Sequence, residues 1–216
     1  MSSAVSIQAA RLSRKLILRM IHAWLYAAVS LAAPSMAQET VLRAKLTGNA
    51  VLVEDTGWEE DAVRAAITSA LAIFEQCGIT SGGVVLSRVH TLPAMRDLFT
   101  PASRRLAAEV NPARPAVFFV ARTRNDPAFD AEAFGAGNTQ TRMDLRDTIW
   151  ITRGTPDLPE AIAHELFHVL ANSGGHSEDR SNLMHQATAP GRRQLTAAQC
   201  ALMVDTARKN KLLATD

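Results

Sequence analysis

Cysteine is almost absent: Cys77 and Cys200 are the only two in 216 residues, and they form no CxxC pair. A zinc site built from cysteines is therefore excluded. No apolar run is long. The most continuous one, residues 21–33, spans 13 residues, short of the roughly 20 a membrane-crossing helix needs. No internal repeat or low-complexity tract is present, which argues against a solenoid or a disordered chain. Neither sign of charge dominates, with 23 Lys and Arg against 21 Asp and Glu.

That small basic excess sits at the N-terminus. Residues 1–37 carry Arg11, Arg14, Lys15 and Arg19 and no acid, so the remainder holds 19 basic and 21 acidic residues, a net charge of −2. The basic balance thus belongs to this segment and gives no support for nucleic-acid binding. Its order, basic residues, then the apolar run, then Pro34-Ser35-Met36-Ala37, reads as a signal peptide cut after Ala37. A membrane anchor is the competing reading, and no stable anchor is expected after cleavage. Export to a periplasmic or extracellular compartment permits a Cys77–Cys200 disulfide; two buried free thiols are the alternative. Residues 38–216 have the length of one domain with a real core.

Along that domain, residues 41–54 read as one strand or two. Thr56-Gly57-Trp58-Glu59 has capping-box spacing. Val63, Ile67, Ala70, Leu71, Phe74 and Cys77 then recur at helical spacing, with Gly78 where a C-terminal cap would sit. Strands are expected at residues 83–89, 116–122 and 147–152, and helical character broken by Pro101 over 93–110. The Gly- and Asn-rich stretch 131–141 accommodates a short strand at 131–137 or a plain loop. Asp157-Leu158-Pro159-Glu160 resembles a helix start, with the helix running to about Ala171. Thr196-Ala197-Ala198-Gln199 fits a second capping box. Helices between strands of mixed direction suggest an α+β, mixed-sheet domain.

The chemistry lies in His164-Glu165-Leu166-Phe167-His168, an HExxH motif on the expected helix. Residues i and i+4 share a helix face, so both imidazoles can reach one zinc ion. Glu165 is rotated about 100° from His164 and can take a proton from water without ligating the metal. Ile162, Leu166, Val169 and Leu170 lie roughly opposite the histidines, giving one face for a core and one for a cleft. His176 follows eight residues after His168, beyond Ser173-Gly174-Gly175, glycines that allow a sharp return toward the metal. It is the natural third ligand, and three neutral imidazoles leave the ion its full charge. His90 and His185 are weaker candidates.

The segment HELFHVLANSGGHSEDRSNLMH resembles the zinc-binding segment of the metzincin peptidases, especially the matrixin branch. Their pattern is HExxHxxGxxH followed by a Met-turn. His164, Glu165 and His168 match its first half, His176 its third ligand, and Asn182-Leu183-Met184 the turn, which makes Met184 the methionine beneath the metal. The interval from His168 to His176 is two residues longer than the pattern, so Gly174 or Gly175 takes the turn-glycine role or the helix runs further. No cysteine-containing pro-segment precedes the first strand. The only tyrosine, Tyr26, lies in the leader, so none can ligate zinc or stabilise an oxyanion. The resemblance implies a zincin-like α+β domain: a twisted mixed sheet, a long first helix, an active-site helix and a C-terminal helix. It also implies an edge strand that takes peptide substrates, with Ala133, Phe134 and Gly135 the candidates. The expected activity is a zinc-dependent endopeptidase acting on peptide or protein substrates, with Glu165 as general base. A non-catalytic zinc-bound peptide-binding domain and a zinc hydrolase of non-peptide amides are the alternatives.

Overall fold

Val117 and Phe119 face one hydrophobic cluster and their neighbours Phe118 and Val120 another, because successive side chains of a strand alternate between faces. Burial on both faces is the signature of a parallel sheet covered by helices on each side. In the computed structural model, which describes residues 44–126 and 129–215, this sheet has six strands. The segment read as a signal peptide and the start of the first expected strand lie outside the described residues. All described residues fall in one compact unit.

Strand β1 (Ala44–Val53) pairs in parallel with β2 (Ile79–Val89) on one side and β3 (Ala116–Phe119) on the other. β3 pairs in parallel with β5 (Thr148–Ile151), and β4 (Ala131–Phe134) closes that edge antiparallel to β5. A two-residue strand, β6 (Ala214–Thr215), pairs antiparallel with the first residues of β1. The sheet is mixed, as expected, and mostly parallel. The described part of residues 41–54 gives one strand, β1, and the strand expected at 83–89 begins earlier, at Ile79.

One face carries α1 (Glu60–Ile73), α3 (Leu158–Ala171) and α4 (Ala197–Lys209), packed over Leu46, Leu52, Val117 and Ile149. β1 approaches α1 closely: a Cβ placed on Gly48 would lie 2.4 Å from Ile67 Cγ2. The other face carries α2 (Thr100–Val110), with Leu106 and Ala107 over Val51, Phe118 and Trp150. Phe118 and Trp150 are cross-strand partners whose rings stack at 4.3 Å. Pro101 does not interrupt this helix. It sits in the first turn, where its missing N–H has no intrahelical partner to lose.

Helix boundaries follow local chemistry, with two departures from expectation. Thr56 caps nothing: its hydroxyl donates to Val53 O and closes the turn after β1, while Glu59 occupies the cap position of α1 without a side-chain bond. Asp157 stands at the cap of α3 in a left-handed conformation (φ 47°), also without a side-chain bond. The Thr196–Gln199 box is present with both reciprocal bonds. Gly78, at φ 74°, ends the 3-10 turn (Phe74–Cys77) that extends α1. That turn and α4 are joined by a Cys77–Cys200 disulfide across a sequence separation of 123.

Candidate metal centre

Helix α3 places His164 and His168 one turn apart on the face turned away from Ile162, Val169 and Leu170, which are fully buried. His176 approaches from the loop that follows. One ligand atom from each of the three imidazoles lies within 4.8 Å of the others, and among the described residues no other group of His, Cys, Asp or Glu converges in this way. His164 is buried, His168 half-buried and His176 exposed, so the cluster opens to solvent on the side of His176.

Two of the rings are oriented through their other nitrogen. His164 Nδ1 donates to Leu183 O at 2.8 Å, and His168 Nδ1 to Ser173 O at 2.6 Å. The two Nε2 atoms are left 3.0 Å apart. Backbone carbonyls holding Nδ1–H leave Nε2 with its lone pair, the form a metal ligand requires. Burial pushes the His164 pKa down to about 4; the bond to Leu183 opposes this shift, and repulsion from His168 and His176 adds to it. His168 is lowered by burial as well. Three imidazoles, two of them held neutral and aimed by the backbone, are a donor set that fits zinc.

The return of the chain toward His176 is not made by glycine. Neither Gly174 nor Gly175 has positive φ; the left-handed residue is Asn172, at φ 47°, directly after the last residue of α3. Asparagine tolerates this conformation better than most residues. The Asn172 side chain also accepts a hydrogen bond from Gly137 N at 2.6 Å, tying the helix end to the segment after β4. The helix therefore ends one residue later than the pattern's glycine would end it.

Glu165 lines two cavities that meet at the histidines. One, of about 280 Å³, is bounded by Ala133, Gly135, Gly137, Asn172 and Gly174; the other, of about 560 Å³, by Phe129, Asp130, Thr155, Gln186 and Thr188. Burial, with a smaller repulsion from Glu132, raises the Glu165 pKa to about 7. Glu132 is itself raised by burial and accepts a bond from Asn125; nothing in its sequence surroundings marked it.

Both cavities run along β4. The carbonyls of Asp130 and Phe134 bond to Thr152 N and Asp147 N on the β5 side. By alternation, the backbone groups of Ala131 and Ala133 point to the open edge, while the Gly135 carbonyl, beyond the end of β4, accepts from the buried Thr139 Oγ1 at 2.7 Å. The Ala133 carbonyl there accepts from Asn138 Nδ2 at 3.1 Å. Phe134 differs from expectation: it is fully buried in the second cluster, beneath the Arg142 guanidinium, and its side chain faces away from the cleft.

Met184 is fully buried in the same cluster as α3. Its carbonyl accepts from Ser177 N at 2.7 Å, so residues 182–185 and the segment after His176 are laced together. His185 is not among the converging imidazoles; its Nδ1 accepts from Ala187 N and Arg192 Nη1. His90 lies elsewhere on the surface, beside Glu54. The loop 186–195 is tied to α3 by Arg193 and Gly191, which both bond Glu160, and to the 3-10 turn after α1 by Gln76, which bonds Arg193 O and Leu195 N.

No protein-family model matches the chain, and no curated protein matches its sequence. The fold is similar to that of metalloproteinase-II from Bacteroides fragilis, with a TM-score of 0.55 at 18% identity. The match covers 76% of this chain and 53% of that one, so the likeness spans about half of the longer protein. At this identity it is a likeness of fold.

Proposed function

We propose that this chain is an exported zinc-dependent endopeptidase of metzincin type. The observation that carries the reading is the convergence of His164, His168 and His176 beside Glu165, in a cleft bounded by the open edge of an antiparallel strand. The likeness in fold to a metalloproteinase points the same way.

In this reading the three histidines would hold the ion, with Met184 buried in the turn that follows them. Zinc supplies Lewis acidity toward water and a carbonyl oxygen. A peptide lies extended along β4, pairing with the outward backbone groups of Ala131 and Ala133. Glu165, adjacent to the ligands but off their face, receives the water proton on its carboxylate and passes it to the leaving amine. A carboxyl group whose affinity for protons is raised by burial suits both halves of that transfer. The cavity formed with Gln186, Ala187 and Thr188 accommodates a substrate side chain next to the reacting bond.

The test is Glu165→Gln, which keeps shape and removes the base. The variant is expected to bind one zinc per chain and a hydroxamate inhibitor as wild type does, while peptide turnover falls by about 10² to 10⁴. A variant that cleaves as fast as wild type, or a zinc-loaded wild type that cleaves nothing across a broad peptide library, overturns the proposal.

A further inference from the structure

Asn182 is 2% exposed although it lies in a loop. Both ends of its amide are engaged. Nδ2 donates to Gln199 Oε1 at 2.9 Å, and Oδ1 accepts from Gln199 Nε2 at 3.1 Å and from Met184 N at 2.8 Å. Gln199 is fixed in turn, because its Oε1 also accepts from Thr196 N at 2.8 Å in the capping box of α4. The side chain that starts the last helix thus also grips the turn beside the histidines.

The geometry has a consequence for His164. The peptide group joining Leu183 to Met184 is a rigid plane with its C=O and N–H on opposite sides. Asn182 Oδ1 holds the N–H end, and His164 Nδ1 bonds the C=O end. Fixing one end of the plane fixes the other. We propose that Asn182, clamped by Gln199, is the positioning residue that aims the Leu183 carbonyl at His164, keeping the imidazole proton on Nδ1 and presenting Nε2 to the metal. The metal half of this inference rests on the function proposed above; the orientation of the ring does not. Aspartate cannot substitute, since a carboxylate has no proton to offer Gln199 Oε1, an oxygen that already accepts from Thr196 N.

The imidazole ¹H–¹⁵N spectrum of the metal-free full chain reads the ring directly, and chelator competition reads zinc affinity. Wild type is expected to show His164 as a single Nδ1–H tautomer. Asn182→Ala and Gln199→Ala are expected to show mixed tautomers and a loss of zinc affinity of about 10- to 100-fold, the usual scale for groups that orient a ligand. Leu106→Ala, in the cluster on the other face of the sheet, controls for lost stability and is expected to change neither readout. If Asn182→Ala does not fold, Gln199→Ala, at a half-buried position, carries the same test. Folded Gln199→Ala or Asn182→Ala protein that keeps the wild-type tautomer overturns the proposal, whatever its zinc affinity. A wild type that binds no zinc while the tautomer responds sinks the peptidase reading and leaves the positioning role standing.

Discussion

Arg193 reaches back along the chain to hold Glu160, in the first turn of α3, with its guanidinium 2.7 Å from a carboxylate that is 4% exposed. Gly191 N donates to the same oxygen at 3.3 Å. Burial favours the protonated form of Glu160, but the hydrogen bonds from Arg193 and two backbone amides outweigh it and leave the pKa below the ordinary value. A carboxyl lowered in the folded state stabilises the fold above its unfolded pKa, near 4.5, and that contribution is lost as pH falls through the folded value. Arg193→Ala leaves a buried carboxylate with fewer donors and is expected to cost about 1–3 kcal/mol at pH 7. The deficit should shrink at an acidic pH below the lowered folded value, where Glu160 becomes neutral. Urea unfolding of the metal-free protein at both pH values measures it; an equal deficit at both contradicts the pairing.

The Cys77–Cys200 bridge closes most of the domain, at a sequence separation of 123. For a loop of that size the chain-entropy effect is at most about 5 kcal/mol. The double variant Cys77→Ser/Cys200→Ser is expected to unfold at markedly lower urea concentration, by an amount equal to that caused by reducing the wild type. Protein from its native compartment, denatured without reductant, should expose no thiol to labelling. Two reactive thiols would rule the bridge out.

His176 is exposed, whereas His164 is part of the core. Loss of the His176 imidazole should therefore separate metal binding from folding. His176→Ala is expected to keep the metal-free stability within about 0.5 kcal/mol. Its zinc affinity should fall by about 10²-fold or more, through loss of one of three protein ligands. Titration against a chelator of known affinity checks it. Unchanged affinity would remove His176 from the ligand set and turn attention to His185.

Gly48 is a steric requirement of the β1–α1 contact. Gly48→Ala drives a methyl group into Ile67, which is fully buried and has no room to retreat. Overpacking of this kind costs about 1–3 kcal/mol. A melting temperature equal to wild type would show that α1 shifts freely over the sheet.

Helix α3 was legible in the sequence because HExxH and its apolar counter-face share one period, and the period alone separates the histidine face from the core. The Thr196 box was legible because both of its partners are local. The Thr56 box has the same spacing and fails, since the helix starts only at Glu60 with Glu59 at its cap, and the Thr56 hydroxyl closes the turn onto Val53 O instead. Of the two alternatives for the return toward His176, the longer helix holds and the glycine turn does not: Asn172 takes the left-handed position while also bonding Gly137, a partner 35 positions away. Phe134 illustrates the same limit, since strand spacing gives two faces and does not say which one meets the cleft. Contacts set by tertiary structure leave no local pattern to read.

The bond from Asn138 Nδ2 to the Ala133 carbonyl gives β4 a guarded border. An unpaired strand edge will recruit any extended chain, including another copy of itself. Here a newcomer must displace an intramolecular donor at the middle of a four-residue strand before its ladder can form. With that carbonyl already occupied, the edge is less open to adhesive self-association than a bare one.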